Sequence, residues 1–475
     1  MTVSEVPTGA LPAERFAEVL SEEALARFER VVVEGRKLFA GRVLWNVNST
    51  ARGGGVAELL TSLVAYVRGA GLDARWMVIE GDEEFFHVTK RIHNRLHGFE
   101  GDGGPLDAGA RAAYERTLER NAGELAELVR PGDVVILHDP QTAGLVEPLK
   151  ACGAAVIWRC HVGVDVANDL ARDAWRFLDG YVEPADAYVF SRQAYVWDGL
   201  DEERLAIIPP SIDAFSPKNA EMSPETVTGI LEVTGMLDAG GTGGPATFTR
   251  VDGSPGRVDR HVEAVQARPL LPDDRVLAQV SRWDRLKDPI GVMVGFAEHV
   301  PDAHLVLAGP ITAAVSDDPE GAEVAAEVRA FRDGLGTDVR DRVHLASLPM
   351  EDLEENAAIV NALQRRADVI AQKSLAEGFG LTVAEGMWKA RPVIGSHVGG
   401  IQDQIVHGET GVLVEPTDLA AFGRAAAELL GDPERASALG RAARERVREH
   451  FLGTRTLEQY FELSRKLVVG AAAGG

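Results

Sequence analysis

Three cations, Arg282, Arg285 and Lys287, fall within six residues at the end of a short apolar run. The chain as a whole is acidic, with 49 Lys and Arg against 73 Asp and Glu and a formal net charge of −24. Arg binds phosphate through two parallel hydrogen bonds and Lys binds it as a point charge, so Arg282 and Lys287 could hold a diphosphate. The alternative is a solvated helix start with Asp284 or Asp288 as its cap.

Two glutamates, Glu377 and Glu385, flank a predicted helix start near Thr382 in a loop punctuated by glycines. Free N–H groups around Gly380–Val383 would favour an anion there. Two carboxylates beside that helix start could bind sugar hydroxyls on either side of a phosphate. The alternative for Glu385 is a capping box with Thr382, which does not account for Glu377.

The first half of the chain carries weaker signals. Gly53, Gly54 and Gly55 separate a predicted strand from a predicted helix, where the backbone can approach a ligand and a helix N-terminus favours an anion. A tight turn is the alternative. His161 follows an apolar run, and it is either a ligand contact or a partly buried structural histidine.

The elements that must position these residues alternate between strand and helix. Strands alternating with helices predict the α/β class, with parallel sheets covered by helices on both faces. The predicted strands are Arg42–Val47, Ala74–Glu80, Asp133–His138, Ala154–Cys160, Val276–Ser281, His304–Gly309, Val343–Ser347, Ala367–Gln372, Pro392–Gly395 and Gly411–Val414. In such sheets ligands bind beyond the carboxyl ends of the strands, which is where the charged loops lie.

The alternation lapses between about residues 216 and 272, in a stretch rich in Gly, Asp, Thr and Pro. We therefore expect two doubly wound halves: an N-terminal domain over 1–215 that starts with a helical segment at 13–38, and a C-terminal domain over 273–450. The stretch between them reads as an insertion or linker, with helix expected near 224–237 and 255–267. We expect residues 451–475 to form a helix that can cross back to the N-terminal domain.

Composition excludes several classes of protein. At 475 residues and 45% hydrophobic content the chain is globular, with two to three domains. Its acidity disfavours nucleic acid as a partner. The N-terminus lacks the pattern of a signal peptide, and no apolar stretch approaches the 18 residues of a membrane span. With Cys152 and Cys160 as its only cysteines, we expect reduced thiols and a cytoplasmic protein.

Together these segments resemble the retaining GT-B glycosyltransferases of the sucrose- and glycogen-synthase-like superfamily. The resemblance rests on Glu377-x7-Glu385 within EGFGLTVAEGMWKARPVIGSHVGG, combined with Arg282, Lys287 and the glycine-rich N-terminal loop. It covers about residues 40 to 450. It implies two Rossmann-like domains that face each other across a cleft, with the acceptor bound by the N-terminal domain and the nucleotide sugar by the C-terminal domain.

A narrower resemblance is carried by VLWNVNSTARGGGVAELL, VVILHDPQTAGL and RCHVGVDVAN, which look like the trehalose glycosyltransferring synthases. That family implies transfer of glucose from ADP-, UDP- or GDP-glucose to free glucose, which gives α,α-trehalose and NDP reversibly. The alternatives are a retaining trehalose phosphorylase, a non-hydrolysing sugar-nucleotide epimerase on the same scaffold, and a catalytically silent sugar-nucleotide-binding protein. A homodimer is implied by resemblance alone.

The resemblance also implies a role for each matching residue. Arg282 and Lys287 would neutralise the leaving diphosphate, with help from main-chain amides near Gly380, Leu381 and Thr382. The other implied contacts are Glu385 with the ribose, Glu377 and His161 with the transferred glucose, Gly53–Gly55 with the phosphates, and Asp139 and Gln141 with the acceptor.

No Asp-x-Asp metal motif occurs in the sequence, so we expect no metal site and no required cofactor, with Mg²⁺ at most stimulatory. Retention requires either a carboxylate nucleophile or front-face attack in which the leaving phosphate takes the proton of the incoming hydroxyl. The sequence leaves both routes open, and the resemblance favours the second.

Overall fold

The structure, a computed structural model, describes residues 3–51, 55–312 and 319–473 and divides into two units. Unit 1 contains the chain up to Ser211 together with the part from Gly453 onward, and unit 2 contains Ile212–Leu452. Within the described ranges each unit is built on a seven-stranded sheet with six parallel strands and one antiparallel edge strand. The predicted α/β class is confirmed.

Unit 1 orders its strands β1-β3-β2-β4-β5-β6-β7 across the sheet, with β1 antiparallel to β3. The strands are β1 (Val3–Glu5), β2 (Val43–Asn48), β3 (Asp73–Ile79), β4 (Val134–His138), β5 (Ala155–Cys160), β6 (Ala187–Phe190) and β7 (Leu205–Ile207). The helices of its first segment are α1 (Glu22–Leu38), α2 (Gly55–Gly69), α3 (Glu83–Leu96), α4 (Ala108–Leu128), α5 (Val146–Ala151) and α6 (Asp169–Val182). The predicted leading helix is split, because a short 3-10 helix at Ala13–Glu18 precedes α1.

Unit 2 orders its sheet β10-β13-β12-β11-β14-β15-β16, with β10 antiparallel to β13 and a separate ribbon formed by β8 and β9. The strands are β8 (Thr247–Thr249), β9 (Pro255–Arg257), β10 (Glu263–Val265), β11 (Val276–Val280), β12 (His304–Pro310), β13 (Val343–Leu348), β14 (Val369–Gln372), β15 (Val393–Ser396) and β16 (Val412–Val414). The helices are α7 (Pro224–Val233), α8 (Pro289–His299), α9 (Pro319–Asp333), α10 (Thr337–Arg340), α11 (Leu353–Arg366), α12 (Leu381–Trp388), α13 (Ile401–Gln404), α14 (Leu419–Gly431) and α15 (Pro433–His450). The last helix of the chain, α16 (Gly453–Ala473), belongs to unit 1.

The stretch 216–272, expected as an insertion or linker, contains α7 and three short strands and lies within unit 2. The helix expected near 224–237 is present as α7. The helix expected near 255–267 is wrong, because that segment forms β9 and β10. Its residues pair with a ribbon partner and with β13, and three-residue strands carry too little periodicity to reveal this pairing in sequence.

The central strands are buried on both faces, which explains why the sequence shows them as continuous apolar runs. All five residues of β4 and all five of β11 are buried. All ten predicted strands are present, while α3 and the six strands β1 and β6 to β10 were not predicted. Strand order reverses between β2 and β4 in unit 1 and between β11 and β14 in unit 2. Loops at those two points are where doubly wound sheets bind ligands.

Candidate active site

Lys287 and Glu377 are held together at the carboxyl end of the unit 2 sheet. Lys287 ends a 3-10 helix that follows β11, and Glu377 lies in the loop after the neighbouring strand β14. Lys287 Nζ donates to Glu377 Oε2 over 2.5 Å, and the two side chains are only 14% and 13% exposed. The predicted cation and carboxylate are therefore in contact, because β11 and β14 are paired in the sheet.

Arg282 is not part of that contact. Its side chain is 66% exposed, and its guanidinium lies 3.4 Å from Asp284 Oδ2. Arg285, between the two predicted cations, turns toward α9 and forms ion pairs with Glu320 at 3.0 Å and Glu327 at 2.7 Å. Of the three cations in the segment, Arg285 pairs with carboxylates on α9 and Lys287 pairs with a carboxylate in the loop after β14. The side chain of Arg282 is largely exposed to solvent.

Both aspartates of this segment cap helices, as the alternative interpretation expected. Asp284 Oδ1 accepts from the Leu286 N–H at 2.8 Å, and Asp288 Oδ1 accepts from the Gly291 N–H at 3.1 Å. Caps alone do not explain the inward position of Lys287. The capping geometry instead fixes the turn from which Lys287 reaches Glu377.

Polar side chains after β14 hold the Glu377 loop in place. Glu377 Oε2 lies 3.4 Å from Gln372 Nε2 and 3.3 Å from Ser374 Oγ, which both can donate to it. Between them, the ammonium of Lys373 is fully buried and pairs with the carboxylate of Asp288. A buried charge is retained only when it is paired, so the Lys373–Asp288 pair joins the β14 loop to the start of α8.

Helix α12 begins at Leu381, one residue before the predicted start, with Gly380 as its N-cap in the left-handed region at φ 80°. Gly380 has no side chain that could cap this end. The interpretation of Thr382 and Glu385 as a capping box is wrong, because Thr382 is the second helical residue rather than the N-cap. Val383 N donates to Gly380 O at 2.9 Å. The N–H groups of Leu381 and Thr382 have no acceptor within the helix, so this end of α12 favours an anion.

Glu385 lies on the buried side of α12 and is only 4% exposed. Lys218 Nζ lies 3.5 Å from Glu385 Oε1, and Gln364 Nε2 lies 3.4 Å from Oε2. Lys389, one turn later, donates to the main-chain oxygen of Glu385 at 3.2 Å. Burial lowers the pKa of Lys389 to about 7, and the Glu385 charge opposes that change. The carboxylate thus sits in a buried pocket of basic and amide groups.

In unit 1, Asp139 and His161 are joined at the carboxyl ends of adjacent strands. Asp139 follows β4 in the left-handed region at φ 66°, and its Oδ1 accepts from the His161 N–H at 2.8 Å. Burial raises the pKa of Asp139 to about 6, while the His161 N–H and the Arg159 charge oppose the rise. The carboxylate therefore orders the start of the loop that carries His161.

A chain of polar side chains crosses three neighbouring strands behind His161. His138 Nδ1 lies 3.1 Å from His161 Nε2, and His138 Nε2 lies 3.1 Å from Asn46 Oδ1. Burial lowers the pKa of His138 to about 3 and that of His161 well below its usual value, so both rings are neutral near pH 7. Because Asn46 Oδ1 is an acceptor, His138 donates from Nε2, and its Nδ1 accepts a hydrogen bond from His161 Nε2–H. His161 Nδ1 is then left as an acceptor for a ligand.

The other predicted residues of unit 1 are Gln141 and the three glycines Gly53–Gly55. Gln141 is half-buried within the 3-10 helix Pro140–Leu145. Gly55 is the first residue of α2, at the end of that helix that favours an anion. Gly53 and Gly54 lie outside the described residues.

Several residues around these sites were not predicted from the sequence: Asn46, His138, Lys218, Gln364, Gln372, Lys373, Ser374 and Lys389. A signal existed for some of them, because His138 directly precedes Asp139, and Gln372 to Ser374 open the loop that carries Glu377. Lys218 had no local signal, since it lies 167 positions from Glu385 and in a stretch without clear periodicity.

In the three described ranges, no group of three or more His, Cys, Asp and Glu side chains could hold a metal ion. Among the helices of those same ranges, none is long and apolar enough to cross a membrane.

Comparison with known proteins places the chain in a family. Residues 46–197 match the family described as the N-terminal domain of trehalose synthase, and residues 263–446 match glycosyl transferases group 1. A trehalose synthase from Pyrococcus horikoshii is 36% identical over 98% of this chain and 99% of its own length. The chain belongs to the trehalose synthase family of glycosyltransferases. Another family member, from Rubrobacter xylanophilus, is 37% identical over 91% of this chain and 92% of its own.

More distant matches include a relative named for a different activity and solved structures of the same fold. A trehalose phosphorylase from Pleurotus pulmonarius is 25% identical over 78% of this chain and 50% of its own length. Among solved structures, a UDP-forming α,α-trehalose-phosphate synthase from Burkholderia xenovorans in complex with glucose-6-phosphate aligns with a TM-score of 0.64 at 15% identity. That alignment covers 90% of this chain and all of the other. The GT-B fold implied by the sequence is confirmed.

Proposed function

We propose that this protein transfers glucose, with retention, from an NDP-glucose to free glucose and forms α,α-trehalose and NDP reversibly. The observation that carries the proposal is the position of the Lys287–Glu377 pair at the start of α12 in unit 2, where the Glu377 side chain lies against Gly380. A cation and two main-chain N–H groups without an acceptor in their own helix suit a diphosphate, and an adjacent carboxylate suits sugar hydroxyls. Membership of the trehalose synthase family supports the choice of glucose as acceptor.

The donor is assigned to unit 2. Lys287 and Arg282 would offset the charge that builds on the diphosphate as the glycosidic bond breaks, with the amides of Leu381 and Thr382 as further donors. Glu385 would bind the ribose hydroxyls. Its burial beside Lys218 supports a fixed orientation for the carboxylate.

Binding of the two sugars is assigned to Glu377 and to residues of unit 1. Glu377 and His161 would contact hydroxyls of the transferred glucose, His161 through its acceptor Nδ1. Asp139 and Gln141 would contact the acceptor glucose. Retention by front-face attack requires no enzyme carboxylate as nucleophile, because the leaving phosphate takes the proton of the incoming hydroxyl.

The test is a product assay that crosses ADP-, UDP- and GDP-glucose with glucose, mannose and fructose 6-phosphate as acceptors. The expected result is trehalose and NDP in a 1:1 ratio from at least one donor with glucose. Absence of trehalose with every donor would overturn the proposal, and a phosphorylated disaccharide from fructose 6-phosphate would reassign the acceptor.

A second candidate is a retaining trehalose phosphorylase, favoured by the match to the Pleurotus pulmonarius protein. Phosphate would then replace the nucleotide, and Glu385 would have no ribose to bind. Incubation with trehalose and either NDP or inorganic phosphate separates the two functions. NDP-glucose is the product of the first, and glucose 1-phosphate is the product of the second.

A further inference from the structure

A cavity of about 440 Å³ lies in unit 1 at the amino ends of β2 and β3. Asp139 and His161 lie at the carboxyl ends of strands in the same sheet, so the cavity is at the opposite end of the strands from the candidate site residues of unit 1. Four arginines line it, from four different segments of the chain: Arg36, Arg42, Arg75 and Arg130.

Two of these guanidinium groups are positioned by main-chain oxygens at helix ends. Arg36 Nε donates to Ala70 O, and Arg42 Nη1 donates to Leu38 O, each at 2.6 Å. A guanidinium has five N–H donors, so one such bond fixes its place and leaves the others for a ligand. A structural role at the ends of α1 and α2 and a binding role are therefore compatible.

The other two arginines differ from each other. Arg75 is neutralised by Asp73 through hydrogen bonds of 3.2 and 3.1 Å, and it lies over the ring of Trp45 at 5.1 Å. Arg130 is exposed, and its main-chain N–H rather than its side chain bonds to Asp133. Within the described chain, the side chains of Arg36, Arg42 and Arg130 have no carboxylate partner within 4.0 Å.

The cavity keeps a net positive charge when the acidic residues in and near it are counted. Asp73 is its one acidic lining residue, and it is already paired with Arg75. Glu5 and Asp133 also lie within electrostatic range of Arg75, and Asp133 is satisfied by the Val43 N–H and the Trp45 indole. The C-terminal ends of α1 and α2 add only partial negative charge. Three unneutralised guanidinium groups are an unusual concentration in a chain of net charge −24.

We propose that this cavity binds a small phosphate-bearing ligand at a site separate from the candidate active site. Phosphate accepts paired hydrogen bonds from the guanidinium fork, which makes arginine the residue best suited to it. The volume falls in the range of small-molecule sites and exceeds the needs of an inorganic phosphate alone. A phosphorylated sugar would fill it, with its ring against the side chains of Leu72 and Leu128 that also line the cavity.

The proposal is tested by isothermal titration calorimetry of the full chain, with glucose 6-phosphate and with inorganic phosphate in separate titrations. Unit 2 also offers a phosphate site, so each titration is repeated with the double variant R282A/K287A. The cavity variant is R36Q/R42Q/R130Q, and its matched control is Arg441→Gln, an exposed arginine on α15 that bonds only to Ser437 in the described chain. Retained glycosyl transfer by R36Q/R42Q/R130Q and Arg441→Gln shows that these two variants fold. An unchanged melting temperature shows the same for R282A/K287A, whose activity is expected to fall.

We expect one phosphate-binding event to survive in R282A/K287A and to weaken by about tenfold or more in the cavity variant, since hydrogen bonds to charged groups carry that much. Arg441→Gln should bind like the wild type. Tighter binding of glucose 6-phosphate than of inorganic phosphate indicates an organic ligand, and equal binding indicates phosphate itself. Unchanged affinity in the cavity variant overturns the proposal, as does loss of all binding in R282A/K287A. If the triple variant does not fold, Arg130→Gln alone gives the same comparison, because its side chain is exposed.

Discussion

Lys287 Nζ and Glu377 Oε2 are 2.5 Å apart, although the two residues are separated by 90 positions in the sequence. The contact joins the loops on either side of the point where strand order reverses in unit 2. An anion at the start of α12 would meet an ammonium already placed by a carboxylate. The pair therefore orders the cation in the absence of any ligand, and under the proposed function a diphosphate would share Lys287 with Glu377.

The first prediction concerns the two cations. Arg282→Ala and Lys287→Ala should each lower kcat/KM for the NDP-glucose by about 10²-fold or more, because single electrostatic contacts to a developing charge contribute that much. Steady-state kinetics with the preferred donor measures the effect. Arg285→Ala is the matched control, since Arg285 lies between them and pairs with Glu320 and Glu327. Near-wild-type kinetics for Lys287→Ala would reject its role in leaving-group stabilisation.

A second prediction concerns Lys218, whose ammonium lies 3.5 Å from the buried Glu385 carboxylate. Lys218→Met should raise KM for the nucleotide sugar by about tenfold while kcat falls less, because a misplaced Glu385 weakens binding of the ribose rather than the chemistry. Lys218→Arg should restore most of the affinity. The exposed Lys90 provides a control in Lys90→Met. A fall in kcat with an unchanged KM would contradict this assignment.

The third prediction is a pH dependence on the acceptor side. Burial raises the pKa of Asp139 from 3.8 to about 6, so the carboxylate becomes protonated as the pH falls through about 6. The neutral acid is a weaker acceptor for the His161 N–H and for a sugar hydroxyl. KM for glucose, measured at saturating donor, should therefore rise below pH 6 in the wild type and stay flat in Asp139→Asn.

The same shift has a consequence for stability. Since the folded pKa lies above the unfolded one, protonation of Asp139 stabilises the fold fully below pH 3.8, and this stabilisation is lost as the pH rises through about 6. Asp139→Asn should remove that contribution. If KM for glucose in Asp139→Asn followed the wild-type pH profile, Asp139 would not be the group whose titration changes KM.

A fourth prediction concerns metal dependence. If Arg282, Lys287 and the start of α12 carry the charge of the leaving group, transferase activity should survive dialysis against EDTA, with at most a modest stimulation by Mg²⁺. The measurement is initial rate before and after chelation and after re-addition of Mg²⁺. Activity abolished by EDTA and restored only by Mg²⁺ would refute charge stabilisation by protein groups alone.

The sequence by itself determined the parallel sheets and the loops that hold the candidate site residues. Buried parallel strands read as continuous apolar runs, so β4 and β11 are visible from composition alone. Position on such a strand also fixes which loops gather at the carboxyl ends of the strands, which is why Lys287 and Glu377 could be named from their loops, whereas Asp139 was named from the family resemblance. Short edge strands such as β10 stayed hidden, because three residues show no period.

Only the tertiary structure decided the partners of these residues. Thr382 and Glu385 fit a capping box locally, but the left-handed Gly380 starts the helix one residue earlier and turns Glu385 toward Lys218. The Lys287–Glu377 contact depends on β11 pairing with β14. Strand order is set by packing of the whole sheet rather than by neighbours in sequence, so local pattern can place a charged group in a loop but cannot say which opposite charge it will meet.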